Sequence, residues 1–292
     1  MIQLGDVGVV VAGGMESMSL APHLLNGSRN GIRLGNWEMV DSMVQDGLWC
    51  TLAGQDMASA AESIGTFHGV TREQQDAFAL RSHQRAVAAR MDGSFRKEIV
   101  PVMVETRHNS TVVENDEGPR EETSLEALGN LTPAFSQGKS VTAGNASQIS
   151  DGAAAVILAG ASTVARLELE PIARISGYAH AGVEPARLFE GPVAATHALE
   201  EKTGLKLADF DLLETNEAFA AQALANGVAL EYDWSKVNIH GGAVALGHPL
   251  GASGARILVT LLHALMQKGG QRGLATICHG GGGGVALSIE LL

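Results

Sequence analysis

The second half of the chain alternates apolar runs of strand length with amphipathic runs of helix length. Asp151-Gly-Ala-Ala-Ala-Val-Ile-Leu158 predicts a buried strand. A helical stretch follows and ends before Pro171. Ile172 to Tyr178 predicts a strand, and Pro192 to Thr203 a helix closed by Gly204. Asp211 to Glu214 is a short strand leading into a helix over Glu217–Leu230. A helix over Ser253–Lys268 stops at Gly269-Gly270. Leu274–Cys278 and Val285–Leu291 are the last two strands, joined by a glycine run. Such alternation predicts a layered α/β domain.

The first half is less regular. Gly8 to Ala12 is β-branched and uninterrupted, which predicts a central parallel strand stopped by Gly13-Gly14. Thr71 with Gln74 three residues on forms a capping box, opening a helix that runs to about Met91. Arg81, Arg85 and Arg90 fall on its polar side. Residues 105–123 are charged and poor in apolar side chains, so a surface loop with at most a hairpin is expected. The strands of this half are too few to complete a sheet. An open sheet edge invites pairing, so either another chain completes it or an N-terminal part is absent.

Composition narrows the function. The chain has 292 residues, 45% hydrophobic but only 4% aromatic, with 36 glycines. Its core must be built from Ala, Val, Leu and Ile with close backbone approaches, a profile that suits α/β enzymes. The formal net charge of -12 repels phosphate backbones and argues against a nucleic-acid partner. The two cysteines, Cys50 and Cys278, form no disulfide framework, which fits a reducing, cytoplasmic setting. No long uncharged apolar span is present, so no membrane span is expected. The histidines lack metal-ligand spacing, and no metal site is expected.

Four motifs carry candidate chemistry. Asn238 to Gly254 holds six glycines or prolines, which force tight turns and fix His248 beside a helix start. His248 is a candidate general base or oxyanion donor; a turn-capping histidine is the plainer alternative. Cys278 ends a buried strand and opens into Gly280–Gly284, whose amides suit an oxyanion hole; a structural cysteine before a hairpin loop is the alternative. Asn216, in Glu214-Thr-Asn-Glu-Ala-Phe219, either orients a water or carbonyl or caps the following helix. Thr142-Ala-Gly-Asn-Ala-Ser147 suits contact with an extended amide-bearing ligand, or is an ordinary turn.

Together these motifs resemble those of the thiolases. Asn238–Gly254 and Gly273–Ala286 are similar to the two C-terminal thiolase signatures. Val11-Ala-Gly-Gly-Met-Glu-Ser-Met-Ser19, Asn216-Glu-Ala-Phe219 and Gly144-Asn-Ala-Ser147 resemble further family motifs. The resemblance implies a layered α-β-α-β-α fold with its N-terminal half incomplete. Residues 1–158 would be the remainder of the N-terminal half, with a loop domain at about 19–149, and 159–292 the C-terminal half. It also implies reversible condensation or thiolysis of 3-ketoacyl-CoA, with coenzyme A and acyl-CoA as substrates and no permanently bound cofactor. His248 would activate the nucleophile and share an oxyanion hole with a water held by Asn216. Cys278 would shuttle the α-carbon proton, and the Gly280 amide would serve a second oxyanion hole. Ser147 and Phe135 would meet the pantetheine arm, with Ala143 also on the coenzyme A side. Arg120 would lie near the nucleotide, and Met57 and Ala218 would line the acyl pocket. A homo-oligomer, dimer or tetramer, is implied.

Two departures from the family pattern stand out. The family's nucleophilic cysteine precedes the Val-Ala-Gly-Gly-Met-Glu-Ser strand, a position that falls before Met1. Cys50 has no glycine-rich helix start to lower its pKa and is no substitute. Asp56 stands where biosynthetic thiolases carry a histidine. The chain is thus expected to be inactive alone; the alternatives are a non-catalytic acyl-CoA or lipid binder, or a subunit that takes its nucleophile from another chain.

Overall fold

The computed structural model describes residues 1–107, 109–135 and 138–292. The first strand, β1 (Val9–Ser17), is not a central parallel strand. It pairs antiparallel with β8 (Asp151–Ala159), in the register Val11↔Ile157 and Met15↔Ala153. An apolar run of this length is compatible with either direction, because periodicity does not encode strand orientation. One face of the two-stranded ribbon carries Val11, Met15 and Ile157, which are 71%, 75% and 74% exposed. Both strands were expected to be buried; each is covered on one face only.

Between these strands lies an irregular region with short antiparallel pairs, β2 (His23–Leu24) with β3 (Val40–Asp41) and β4 (Trp49–Cys50) with β5 (Gln55–Asp56). Helix α1 (Met57–Phe67) follows directly, and the Asp56 carboxylate caps it by accepting from the Ser59 amide at 2.8 Å. Helix α2 (Arg72–Asp92) opens on the expected capping box. The Thr71 hydroxyl accepts from the Gln74 amide, and the Gln74 side chain accepts from the Thr71 amide at 2.8 Å. Gly93, in the left-handed region, ends it. The charged stretch beyond forms a hairpin of β6 (Val102–Glu105) and β7 (Ser110–Val113), exposed along its length. A short helix, α3 (Leu125–Gly129), packs Leu128 against α2.

The C-terminal part follows the expected alternation. After α4 (Ala161–Arg166) come β9 (Ala173–Gly182), α5 (Gly191–Thr203), β10 (Leu212–Thr215), α6 (Ala220–Ala229), α7 (Ala243–Leu246), α8 (Ser253–Lys268), β11 (Arg272–His279) and β12 (Gly283–Leu291). The sheet order is β10-β11-β12-β9. Only β10 and β11 run parallel. Leu199 and Ala195 of α5 pack on one face, against Leu274 and Ala286. Ile257, Leu261 and Leu265 of α8 pack on the other, against Leu212, Ala275 and Ile289. Each such side chain contributes about 1.5–3 kcal/mol by burial. The opposite side of α8 meets β1 and β8. Four layers therefore succeed one another: α5, the four-stranded sheet, α8 and the β1–β8 ribbon. Among the described residues nothing covers the outer face of the ribbon.

The glycine run between β11 and β12 is dictated by its surroundings. Gly281 and Gly282 adopt φ of +84° and +95°, a region that costs L-residues about 1–2 kcal/mol. Gly283 and Gly284 face Gly191 at the start of α5, and a Cβ on Gly191 would collide with the backbone of both. Gly191→Ala is therefore expected to destabilise the fold by roughly 1–3 kcal/mol, as overpacking does. Denaturant melts would show this, and an unchanged midpoint would refute the tight α5–β12 approach.

Candidate active site

The site forms where the parallel strands β10 and β11 end side by side. Thr215 is in register with Thr276, and the Asn216 amide donates to the Thr276 carbonyl at 3.0 Å. Asn216 thus emerges just past β10, while Cys278 lies two residues beyond Thr276 on β11. The C-terminal ends of parallel strands are where layered α/β proteins commonly place their ligands.

Helix α6 starts at Ala220, not at Glu217, and its N-cap is Phe219, whose side chain makes no cap. Asn216 is therefore not a helix cap. Its side chain points to His248 instead, with Nδ2 3.2 Å from Nε2. Asn216 Oδ1 is buried and has no hydrogen-bond partner among the described residues.

The loop carrying His248 is held by its glycines. Gly247 has φ of +94°, and a Cβ there would strike the Ser150 side chain. The His248 amide donates to the Gln148 carbonyl at 3.2 Å. His248 Nδ1 lies 2.6 Å from Ser253 Oγ, at the first residue of α8. The Ser253 hydroxyl donates to the Pro249 carbonyl at 2.9 Å. Its one proton is thereby committed, so it accepts from His248 Nδ1–H. Nε2 then bears the lone pair and accepts from the Asn216 amide. Burial, followed by the positive charge of Arg256, pushes the His248 pKa down to about 4. At neutral pH the imidazole is an uncharged base whose free nitrogen faces Asn216.

Cys278 is half-buried against an apolar cluster. Met57, Phe135 and Ala218 belong to that cluster, with Phe189 and Phe219. Loss of hydration pushes the thiol up to about 12, so the unliganded site holds it as a protonated acid. Cys50 lies in the same cluster but is only 4% exposed.

The 142–147 loop is fastened to the segment after Asn216. Ser147 donates its amide to the Ala218 carbonyl at 3.0 Å, and Ala220 donates to the Asn145 carbonyl at 2.8 Å. The buried Asn145 side chain donates to Asp76 Oδ1 and the Ser140 carbonyl, both at 2.9 Å. This loop is a clamp rather than an ordinary turn. Arg120 and Ala143 line a different cavity, of about 230 Å³, with His83 and Gln148. Gln148 links the two regions, because its carbonyl receives the His248 amide. Gly280 follows β11 in the exposed turn, with open space where a side chain would stand. The neighbouring His279 is also exposed, and its Nε2 lies 2.7 Å from that of His180.

The structure thus gathers His248 with Asn216, and Cys278 with Met57, Phe135 and Ala218. It sets Arg120 and Ala143 in a separate cavity. Sequence reasoning missed Ser253 and Phe189. Ser253 stood inside a recognised motif, but its role as orienter appears only once the helix start folds back on His248. Phe189 stood in no motif. Among the described residues no group of three or more His, Cys, Asp or Glu could hold a metal, and no helix is long and apolar enough to cross a membrane.

Known proteins resemble this chain over its whole length. The family described as "Thiolase, N-terminal domain" matches residues 1–162, and "Thiolase, C-terminal domain" matches residues 169–291. The first match corrects the expectation of an absent N-terminal part: an N-terminal thiolase domain is represented in the chain. An acetyl-CoA acetyltransferase of Pseudomonas aeruginosa is 51% identical over 289 residues, 99% of this chain and 74% of that protein. An acetyl-CoA acetyltransferase of Escherichia coli is 52% identical over 292 residues, 100% of this chain and 74% of that protein. The crystal structure of human mitochondrial 3-ketoacyl-CoA thiolase matches with a TM-score of 0.96 at 42% identity, covering 100% of this chain and 74% of that one. The Bacillus anthracis acetyl-CoA acetyltransferase structure gives 0.96 at 45% identity, with the same coverage.

Two measurements test the site's electrostatics. The His248 imidazole is expected to titrate near pH 4 by NMR, well below the ordinary value of about 6.5. It protonates only as pH falls through that point, and Ser253→Ala should release its tautomer. A midpoint near 6.5 would contradict the buried, neutral His248. Cys278 is expected to alkylate slowly with iodoacetamide at neutral pH and faster as pH rises, because only the thiolate reacts. Rapid modification at pH 7, read by peptide mass spectrometry, would contradict the raised pKa.

Proposed function

We propose that this chain, which belongs to the thiolase family, carries out acyl-CoA chemistry of the acetyl-CoA C-acetyltransferase type, the reversible thiolysis of 3-ketoacyl-CoA. The observation that carries the reading is the junction of β10 and β11, where neutral His248 faces Asn216 and a protonated Cys278 stands on the neighbouring strand. His248 Nε2, holding a lone pair, takes the proton of the attacking thiol. The resulting N–H, beside the Asn216 amide, faces developing negative charge on an oxygen. In thiolysis the thiolate adds to the 3-keto carbonyl and the Cα–Cβ bond breaks. The electron pair passes to the enolate of acetyl-CoA, and the Cys278 S–H supplies the proton to the α-carbon. The Cys278 thiolate then takes the proton of an incoming coenzyme A thiol; the CoA thiolate attacks the carrier thioester, acyl-CoA forms, and the expelled carrier thiolate takes back the proton held by His248.

The acyl group needs its own carrier thiol. Cys278 is engaged in proton transfer, and Cys50 is sealed in the apolar cluster. In this reading the proton chemistry at the α-carbon rests on Cys278. Gly280 donates its amide to a second oxyanion. Ser147, Phe135 and Ala143 meet the pantetheine arm, Arg120 the nucleotide end, and Met57 and Ala218 the acyl group. Asp56 is engaged in capping α1, so it does not replace the histidine that biosynthetic relatives would place there. Coenzyme A and acyl-CoA act as substrates rather than as held cofactors. Residues 1–158 and 159–292 are the two halves of each protomer of a cytoplasmic homo-oligomer, and the exposed Val11, Met15 and Ile157 favour association. A binding-only protein is the second reading, favoured by the burial of Cys50.

The decisive test separates proton transfer from cleavage. Deuterium exchange into acetyl-CoA is expected with the wild-type chain and with Cys50→Ala. Cys278→Ala should lower it by about 10²–10⁴-fold, as loss of a general acid–base does. CoA-dependent cleavage of acetoacetyl-CoA, read in parallel, tests whether a carrier thiol serves the site. A chain that binds acetyl-CoA but exchanges no hydrogen would favour the binding-only reading.

A further inference from the structure

Asn216 is attached to its surroundings through few side-chain bonds. Among the described residues its side-chain amide reaches only His248 and its Oδ1 has no partner. Its backbone amide is held by the Thr276 carbonyl, and the rest of what fixes it acts through its neighbours in the chain. Thr215, before it, exchanges two hydrogen bonds with the Asn238 side chain, each 2.9 Å long. Glu217, after it, is 2% exposed and collects donors from three separate segments. The Ser82 hydroxyl of α2 donates to it at 2.7 Å, Asn238 Nδ2 at 2.7 Å and the Val244 amide of α7 at 3.1 Å. Every one of these partners is a donor, which suits a carboxylate acting purely as acceptor. Burial lowers the pKa of Arg81 and Arg85 of α2, and the nearby Glu217 charge opposes that shift in both.

The partners are significant for where they lead. Asn238 and Val244 belong to the loop that ends at His248. Asn238 itself has φ of +47°, unusual for a residue other than glycine. Gly242 leaves the room that Glu217 occupies, since a Cβ there would overlap the carboxylate. Ser82 closes the circuit by accepting from the Gly242 amide at 3.0 Å. One carboxylate, adjacent to Asn216, therefore grips the segment leading to His248 at Asn238 and at Val244 and ties it to α2 through Ser82.

We infer that Glu217 is the positioning residue that holds the Asn216 amide against His248; its catalytic consequence rests on the function proposed above. Replacing it by Gln turns one acceptor oxygen into a donor group, which faces Asn238 Nδ2 at the Oε1 position or the Ser82 hydroxyl and Val244 amide at the Oε2 position. The anchor between the Asn216 segment and the His248 loop is then weakened, with only the Thr215–Asn238 bonds left intact.

The test reads His248 directly. In protein carrying ¹⁵N-labelled histidine, the Nε2 resonance of Glu217→Gln is expected to move from the wild-type position toward that of Asn216→Ala. Ser82→Ala, which removes one donor and keeps the carboxylate, should move it less and in the same direction, and it serves if Glu217→Gln does not fold. In acetyl-CoA hydrogen exchange, kcat should fall on the order of 10–100-fold, as small misplacements do, with KM little changed. A folded Glu217→Gln protein with the wild-type Nε2 resonance would overturn the inference, as would a raised KM at unchanged kcat. If the wild-type chain exchanges no hydrogen, the functional reading fails alone, and the Nε2 resonance still decides the role of Glu217.

Discussion

Helix α8 is buried along both sides, and this confinement sets the geometry of the site. Ile257, Leu261 and Leu265 anchor it to the four-stranded sheet, while its other side meets the β1–β8 ribbon. A helix gripped on two faces has little freedom to slide or rotate. Its first residue, Ser253, is therefore a fixed point from which His248 can be oriented. The close contacts of Gly14 with Gly251, and of Gly152 with Pro249, bring the ribbon against the same loop. Small residues at these positions let two backbones approach where larger side chains would hold them apart.

The same confinement buries charge. Arg256, one turn after Ser253, faces Glu214 at 3.7 Å. Burial pushes Glu214 up to about 8, and Arg256 works against that shift. Burial likewise raises Glu98 to about 7, again opposed by Arg256. For both acids the folded pKa exceeds the unfolded one, so their contribution to stability declines as pH rises from about 4.5 toward 7–8. The electrostatic arrangement also reaches the site, because Arg256 is the charge that reinforces burial in keeping His248 neutral. Glu214 lies two residues before Asn216. Strand β10 and helix α8 are thus joined once by the Arg256–Glu214 contact and once through the line Asn216–His248–Ser253.

Local signals in the chain were legible where the forces are local. The capping box at Thr71 and the left-handed glycines at 93, 204 and 269 end or begin helices through bonds within a few residues. The bounds of α8 follow from its periodicity and from Gly269. Elsewhere the competing forces act across the fold. Residues 217–219 have helical composition, yet Phe219 is extended because the chain there bridges to Ala146. Gly8–Ala12 is legible as a strand, but its antiparallel partner and half-exposed state depend on β8, more than a hundred residues away.

The residue types of the site were likewise readable. The glycine frames around His248 and Cys278, and the Asn216 and Thr142–Ser147 motifs, marked the candidate site and carried the thiolase resemblance, because tight turns and reactive groups leave their mark on composition. The protonation of those groups was not readable. His248 is a neutral base because Ser253 fixes its tautomer and because burial and Arg256 disfavour its cation. Cys278 stays an acid because it packs, half-buried, against the apolar cluster that includes Met57, Phe135 and Ala218. Burial and hydrogen-bond partnership arise only when distant segments meet, so the tautomer, the two shifted pKa values and the anchoring of Asn216 by Glu217 belong to the tertiary structure.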